Sequence, residues 1–127
     1  MLVSFIIIAY NAEKFLNKSL ESLKKQDYPH KDIEVILVDS VSTDGTRKVF
    51  EKFKKENEID FHQIKILTNK GKTLPKGWNV ALKETTGEVV LRVDAHTFFD
   101  KDFIWNNVKE IESGENKAVN WYVRGDK

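Results

Sequence analysis

The stretch IEVILVDSVSTDGTRKVFEKF, residues 33–53, contains the transition that decides the fold. Residues 33–38 are almost all apolar and largely β-branched, which predicts a strand buried on both faces, as in a parallel sheet. Asp39 and a hydroxyl-rich turn follow, and residues 44–56 then place apolar side chains on one helical stripe. A strand, a polar turn and an amphipathic helix in this order predict one unit of an alternating α/β fold.

The same alternation extends in both directions along the chain. Short β-branched runs predict further strands at residues 2–8, 64–67, 89–93 and 117–123. Periodic apolar residues predict further helices at residues 12–25, 75–85 and 101–112. This order predicts right-handed crossovers and an open, mainly parallel sheet with helices on both faces. We expect a single domain over residues 1–127 whose sheet is incomplete, because residues 125–127 do not resemble a finished domain end.

Composition excludes several classes of protein. The 127 residues are 40% hydrophobic, which is ordinary for a folded domain and argues against wholesale disorder. The formal net charge of +1 argues against a nucleic-acid partner held by bulk electrostatics. The chain has no Cys, so it has no disulfide scaffold, thiolate zinc site or cysteine nucleophile. The apolar run at residues 1–9 is too short to span a membrane and lacks a basic leader.

The candidate site lies at the carboxyl ends of the predicted strands, because ligands of open α/β sheets bind there. The strand at residues 89–93 ends in Asp94-Ala95-His96, and in extended backbone these two polar side chains point to one side. A carboxylate and a neutral imidazole suit Mn²⁺ or Mg²⁺, with the remaining positions left to water and diphosphate oxygens. In the alternative, purely structural interpretation, Asp94 caps the following turn and His96 is a polar loop residue.

Two further strand ends carry polar or aromatic residues. Asp39 is placed to accept a hydrogen bond from a ligand N–H or hydroxyl, whereas the hydroxyl-rich residues 42–46 are explained mostly by turn and capping chemistry. At the end of the first strand, Tyr10 is available to stack on a base, and the small Ala9 leaves its backbone accessible. We expect Asn11 to act mainly as the N-cap of the first helix.

Several common motifs are missing. No Gly-x-Gly-x-x-Gly dinucleotide fingerprint and no phosphate-binding P-loop occur in the sequence. A nucleophile elbow and a His-Glu-x-x-His pair are also absent.

The order of the remaining motifs resembles that of the family 2 glycosyltransferases with a GT-A fold. The residues that carry the resemblance are AYN at 9–11, QDYP at 26–29, VILVDSVSTDGT at 35–46 and GEVVLRVDAH at 87–96. The RVDAH form looks most like the succinoglycan-type glucosyltransferases of exopolysaccharide assembly. The resemblance covers residues 3–103.

This resemblance implies a nucleotide-sugar donor, a UDP-sugar in most members, and Mn²⁺ or Mg²⁺ as cofactor. It implies a glycan or lipid-linked acceptor in polysaccharide synthesis and a cytoplasmic location, with the inner face of the membrane as a more specific alternative. The implied donor-binding residues are Ala9, Tyr10, Asn11, Asp39, Asn79 and Asp94, and the implied metal ligands are Asp94 and His96.

The chain departs from the family pattern in three ways. Ser40 replaces a second acid that the family often has, and the loop after the third strand offers only Lys72 or Lys76 where the family often has an Arg. The catalytic base is unknown, because the acids at 110, 112, 115 and 126 stand in no setting that matches the family's base motif. We therefore interpret the chain as the N-terminal donor-binding portion of such an enzyme, with the acceptor-binding portion missing and activity of this portion alone uncertain.

Two other functions remain open from the sequence. One is a truncated, non-catalytic α/β module for nucleotide binding or protein interaction. A metal-dependent diphosphate hydrolase is weaker, because only two good ligands are evident. The expected partners include a complementing subunit or a second copy of the chain, since an incomplete sheet is expected to leave Trp105, Trp121 and Tyr122 exposed.

Overall fold

The computed structural model of the chain describes residues 1–113 and 121–123. The strands are β1 (Val3–Ala9), β2 (Ile33–Asp39), β3 (Gln63–Thr68), β4 (Val89–Asp94) and β5 (Trp121–Val123). The helices are α1 (Glu13–Lys24), α2 (Thr46–Asn57), α3 (Leu74–Leu82) and α4 (Phe103–Ser113), with a short 3-10 turn at His30–Asp32.

Most predicted boundaries lie within two residues of these bounds. Helix α3 is an exception, because it ends at Leu82 rather than at Thr85. The Thr85 hydroxyl donates to the Leu82 carbonyl (2.9 Å), and the Glu84 N–H donates to the Ala81 carbonyl (2.9 Å). These local bonds replace the next helical turn. Residues 117–120 of the last predicted strand lie outside the described residues.

The strands form one sheet in the order β3-β2-β1-β4-β5. Strands β1 to β4 are parallel, and β5 pairs antiparallel with the first half of β4, from Val89 opposite Val123 to Leu91 opposite Trp121. The predicted fold class, an open and mainly parallel sheet with helices on both faces, is confirmed. The carboxyl ends of β1, β2, β3 and β4 therefore share one edge of the sheet, as the site prediction requires.

The sheet has a hydrophobic core on each face. Alternate residues of β1, represented by Phe5 and Ile7, pack with α1, α2 and α4. The intervening residues Ile6 and Ile8 pack with α3 through Ala81. Every residue of β1 and β2 is buried, which explains why their sequences are mostly apolar on both faces rather than alternating, with Ser4, Glu34 and Asp39 as the polar exceptions.

One carboxylate lies inside the sheet, at the amino end of β2. Glu34 is fully buried and accepts hydrogen bonds from the Ser4 hydroxyl (2.7 Å) and from both the N–H and the hydroxyl of Thr86 (2.8 Å each). The Lys65 Nζ lies 3.8 Å from the Glu34 Oε2. Burial acts to raise the pKa of Glu34, but these donors and the lysine charge together hold the pKa below its ordinary value. The charged carboxylate thus joins β1, β2, β3 and the loop before β4.

The exposure predicted for Trp105 is wrong. Its indole is only partly exposed and packs edge-on against the Tyr28 ring, with ring centres 4.7 Å apart. Burial, followed by the nearby charge of Asp32, raises the pKa of Tyr28 to about 12. The side chains of Trp121 and Tyr122 lie outside the described residues.

Within the described part of the chain, no helix is both long and apolar enough to cross a bilayer.

Candidate functional site

The turns after β1 and β2 are joined to each other at the carboxyl edge. Asn11 has a left-handed backbone (φ 45°), and its side-chain oxygen accepts a hydrogen bond from the Thr43 N–H (2.8 Å). The Asn11 N–H donates to the Ser42 hydroxyl (2.9 Å). The predicted N-cap role of Asn11 is therefore wrong: Ala12 occupies the cap position, and the Asn11 side chain bonds across the site instead.

The N-termini of α1 and α2 satisfy each other's free N–H groups. The Asp44 carboxylate accepts from the N–H of Glu13 (3.3 Å) and from the N–H of Thr46 (2.9 Å), the first residues of the two helices. In return, the Glu13 carboxylate accepts from the Gly45 N–H (2.8 Å). The hydroxyl of Thr46, followed by these N–H donors, lowers the pKa of Asp44. Gly45 occupies the N-cap position of α2, so the capping role predicted for residues 42–46 holds only in that the Asp44 carboxylate accepts N–H groups at the two helix starts. Sequence reasoning missed Glu13.

Asp39 lies at the end of β2 and is nearly buried, with its side chain 7% exposed. One carboxylate oxygen accepts from the Ser42 N–H (3.0 Å), and the other lies 3.8 Å from the Arg47 guanidinium, beyond hydrogen-bond distance. Arg47 donates instead to the Thr68 hydroxyl at the end of β3 (2.7 Å). Asp39 therefore keeps one oxygen with acceptor capacity at the mouth of the sheet, and Arg47 is a nearby cation that sequence reasoning missed.

The loop between β3 and α3 is fixed by Asn69. This residue is fully buried and donates through its side-chain nitrogen to the Ser40 hydroxyl (3.0 Å) and to the Thr73 carbonyl (2.9 Å). Its side-chain oxygen has no hydrogen-bond partner within the described residues. Lys72, in the same loop, has a left-handed backbone (φ 65°) and is exposed. The loop thus presents a lysine at the carboxyl edge on a rigid support.

The other residues predicted to bind the donor differ in accessibility. The Tyr10 side chain is 55% exposed, so its ring is open to a ligand. Ala9 is buried, and its carbonyl, which we expected to be accessible, accepts from the Ser40 N–H (2.9 Å). Asn79 is exposed in the second half of α3, and no hydrogen bond joins it to the other candidate residues among those described. The donor-binding roles of all these residues remain predictions.

Asp94 and His96 lie side by side where β4 ends. The imidazole Nδ1 is 3.9 Å from Asp94 Oδ1, and the two side chains are 62% and 60% exposed. Asp94 Oδ1 accepts from the His96 N–H (2.8 Å) and from the Thr97 hydroxyl (3.0 Å). The turn-capping interpretation of Asp94 is therefore correct for one oxygen, while Oδ2 has no partner in the described part of the chain.

The segment after His96 runs back along α1 and is held by polar side chains of that helix. Ser19 reaches the carbonyls of Ala95 (2.7 Å) and Thr97 (2.5 Å). One turn further on, the Ser22 hydroxyl accepts from the Phe99 N–H (3.2 Å), and Gln26 donates to the Asp100 carbonyl (2.7 Å). Sequence reasoning missed these three residues. Ser19 is buried beside the leucines of α1, and Gln26 follows the C-terminus of the helix, so no polar stripe marks them.

A cavity lies beside Asp94, at the carboxyl end of β4. It is lined by Ile8, Leu74, Arg92, Val93, Asp94, Thr97 and Phe103. The Arg92 guanidinium lies 4.8 Å from the centre of the Trp78 ring, so the arginine is anchored on α3 by a cation–π contact. The cavity therefore lies at the carboxyl edge, and the Asp94 side chain forms part of its wall.

Asp94 and His96 fit a divalent cation whose remaining coordination positions would be filled by the substrate. No group of three or more His, Cys, Asp or Glu side chains converges within the residues described. Asp94 and His96 are nonetheless adjacent and exposed, and Mg²⁺-type sites often use one or two protein ligands plus water and phosphate oxygens. The pair can therefore hold a metal together with a diphosphate, although it is not a complete all-protein site.

A mainly parallel α/β sheet with carboxylates and an open cavity at its carboxyl edge defines the class of α/β proteins that bind ligands at the carboxyl ends of their strands. Residues 4–127 match the family described as Glycosyl transferase family 2, and the chain belongs to that family. It is 40% identical over 102 residues to the poly(ribitol-phosphate) beta-N-acetylglucosaminyltransferase TarS of Staphylococcus aureus, a match that covers 80% of this chain and 17% of TarS.

Solved structures match the same fold, and all of them are longer than this chain. The crystal structure of S. aureus TarS 1–349 superposes with a TM-score of 0.78 at 34% identity, covering 89% of this chain and 33% of that one. Structures of the same protein with UDP and with UDP-GlcNAc give TM-scores of 0.75 and 0.74. The mannosyltransferase PcManGT of Pyrobaculum calidifontis, in complex with GDP-Man and Mn²⁺, gives 0.77 at 29% identity, covering 84% of this chain and 31% of that one. The chain thus has the GT-A fold and spans about a third or less of these relatives.

Proposed function

We propose that this chain is the donor-binding portion of a metal-dependent glycosyltransferase. Its donor is a nucleotide-sugar, with UDP-sugars as the preferred class, and the sugar is transferred to a glycan or lipid-linked acceptor in polysaccharide synthesis, such as exopolysaccharide assembly. The observation that carries the proposal is the adjacency of Asp94 and His96 at the carboxyl edge, with both side chains exposed and neither in a buried ion pair. The nucleotide-sugars bound by the related structures support the donor class.

The nucleoside end of the donor is assigned to the turns after β1 and β2. Tyr10 offers an exposed ring on which a base stacks, and Asp39 offers an acceptor oxygen for a base N–H or a ribose hydroxyl. The hydrogen bonds around Asn11 hold these two turns together, so the two contacts are preorganised. The proposal also assigns Asn79 on α3 to donor binding.

The diphosphate end of the donor is assigned to the Asp94 side of the edge. A bound Mn²⁺ or Mg²⁺ would neutralise charge on the departing nucleoside diphosphate. Lys72 and Lys76 are exposed at the same edge of the sheet and supply the cationic side chains that the family often provides through an arginine. The acceptor site, and the base that takes the acceptor proton, are proposed to come from residues outside this chain or from a complementing subunit. This proposal includes a cytoplasmic location.

Calorimetric titration of UDP into the full chain, with and without Mn²⁺, tests this proposal. We expect Mn²⁺ to strengthen UDP binding and Asp94→Asn to abolish that metal dependence. An asparagine oxygen can still accept the bonds from His96 N–H and the Thr97 hydroxyl, so the turn is retained. The matched control is Asp27→Asn, an exposed carboxylate that follows the C-terminus of α1, which is expected to leave binding unchanged.

Two outcomes contradict the proposal. UDP binding of equal strength with and without Mn²⁺ in the unchanged protein would remove the metal role. The absence of any heat from a folded sample would remove donor binding altogether and favour the alternative of a non-catalytic α/β module.

A further inference from the structure

Ser19 makes an unusual contact for a serine in the middle of a helix. Its side chain is buried, with the residue 1% exposed, and its Oγ lies 2.7 Å from the Ala95 carbonyl oxygen and 2.5 Å from the Thr97 carbonyl oxygen. Helical serines commonly bond to a carbonyl four residues back in their own helix, as Ser22 does to Lys18 (3.0 Å). Ser19 instead shares its single proton between two carbonyls that flank His96.

The turn that carries His96 is held from both sides. On the strand side, Asp94 Oδ1 accepts from the His96 N–H and from the Thr97 hydroxyl. On the helix side, the Phe15 ring lies 4.8 Å from the imidazole centre. Phe15 and Ser19 are four residues apart and so share one face of α1. The position of the imidazole relative to Asp94 therefore depends on α1 as well as on β4.

We propose that Ser19 is a positioning residue for the metal site, acting through His96. By fixing the carbonyls before and after His96, it keeps the imidazole beside Asp94, so that both ligands are presented together. The inference rests on the proposed function, because it assigns metal binding to Asp94 and His96. A site with only two protein ligands depends strongly on their preorganisation, and loss of an outer-shell partner typically weakens metal affinity by about 10- to 100-fold.

Ser22 provides a matched control on the same helix. Its hydroxyl accepts from the Phe99 N–H (3.2 Å), so it holds the same segment but three residues beyond His96. Ser22→Ala removes the same atom as Ser19→Ala, the Oγ. It also leaves a backbone group of the segment after His96, the Phe99 N–H, without this partner. A general loosening of the segment is expected to affect both variants, whereas positioning of His96 is expected to affect Ser19→Ala alone.

The experiment measures Mn²⁺ affinity of the full chain by EPR, with UDP at a constant concentration, and UDP affinity without metal by calorimetry. We expect Ser19→Ala to weaken Mn²⁺ binding by about 10-fold or more while Ser22→Ala and metal-free UDP binding stay unchanged. In a His96→Ala background, Ser19→Ala is expected to have no further effect, because the two residues act as one unit. Ser19→Cys retains a donor that is weaker and somewhat larger than the hydroxyl and is expected to give a smaller loss than Ser19→Ala, which also serves if the alanine variant does not fold.

The possible failures are distinguishable. Unchanged Mn²⁺ affinity in Ser19→Ala and Ser19→Cys, together with weakened affinity in His96→Ala, overturns the positioning role and leaves the proposed function standing. If His96→Ala also leaves the Mn²⁺ affinity unchanged, both the positioning role of Ser19 and the proposed function are overturned. Additive losses in the double variant overturn the positioning role, because they show that Ser19 acts on the fold rather than through His96.

Discussion

Glu34 and Asp94 are carboxylates in opposite environments, at opposite ends of the central strands. Glu34 is fully buried and receives three hydrogen bonds from Ser4 and Thr86, so both of its oxygens are engaged. Asp94 is mostly exposed and has one engaged oxygen. A buried carboxylate is retained only with such partners, whereas an exposed one with a free oxygen is available for a ligand. The environment of each residue, more than its type, separates the structural acid from the candidate functional one.

The pH dependence of folding stability tests the role of Glu34. Its folded-state pKa lies below the ordinary value of 4.5, so its stabilising contribution is present above that pH and is lost as pH falls through the folded-state pKa. We expect Glu34→Gln to lower the free energy of unfolding by about 1.5–3 kcal/mol at neutral pH, as for hydrogen bonds to a charged group. The difference from the unchanged protein is expected to shrink as the pH falls below 4.5.

Urea denaturation at several pH values measures this difference. The control is Glu21→Gln, since that carboxylate is 54% exposed and forms a surface ion pair with Lys24 at 3.5 Å, so a change within about 0.5 kcal/mol is expected. A Glu34→Gln deficit that persists unchanged into acid would contradict the role of the Glu34 charge.

Asn11 shows why part of the site could not be predicted from the sequence. An asparagine after a strand and before a helix predicts an N-cap, because capping is a local property. Its observed partners, Ser42 and Thr43, are more than 30 residues away and approach only because β1 and β2 are adjacent. The adjacency of Asp94 and His96 was expected from extended backbone, but β4 ends at Asp94 and the next two residues form a turn. The two side chains are adjacent because of that turn, which is also in contact with α1 through Phe15.

At the scale of elements, the packing of α3 against the sheet depends on Gly77. A Cβ at this position would lie 2.9 Å from the side-chain nitrogen of Asn69 and 3.2 Å from a methyl carbon of Ile8. Asn69 cannot easily retreat, because it is bonded on both sides, to Ser40 and to Thr73. The helix therefore lies close to both β1 and the loop after β3, an arrangement that periodicity alone does not specify.

Gly77→Ala is expected to destabilise the protein despite the better helix propensity of alanine. Alanine contributes about 1 kcal/mol over glycine within a helix, whereas forcing a methyl group into a packed contact costs about 1–3 kcal/mol. We expect a net loss of about 1 kcal/mol in the free energy of unfolding, measured by urea denaturation. Gly71→Ala is the control, because the three atoms nearest to its Cβ would all belong to the flexible Lys76 side chain. A stabilised Gly77→Ala protein would mean that α3 has room to move away.

Element bounds were predicted well and the sheet order was not. Apolar periodicity is encoded within each segment, so α1 and β2 were placed to within a residue. The position of β4 beside β1, with β5 antiparallel at the edge, depends on contacts between segments far apart in sequence. The same reason explains why Ser19 was not recognised, since its partners lie 76 and 78 residues away.

At the scale of the whole molecule, exposed apolar side chains are concentrated at the carboxyl edge. Tyr10 and Phe15 follow β1, Leu74 follows β3 and Phe98 follows β4, and each is at least half exposed. Large exposed apolar side chains that lie at one edge of a domain are candidates for a contact region. Because Trp105 is packed, we now predict that self-association occurs through this edge instead. Self-association itself stays a prediction.

We expect a concentration-dependent dimer of the chain that forms through this edge. Replacing the most exposed of these aromatic residues, in Phe98→Ser, removes apolar area without touching the core, so the dimer is expected to weaken by about tenfold or more, since burying a Phe side chain contributes about 1.5–3 kcal/mol. Ile59→Ser is the matched control, because Ile59 is 86% exposed but lies in the turn between α2 and β3, at the opposite edge of the sheet. Light scattering over a range of protein concentrations measures both variants. A monomer at every concentration, or equal weakening by the two substitutions, would contradict the assignment, because only the carboxyl edge is expected to carry the contact.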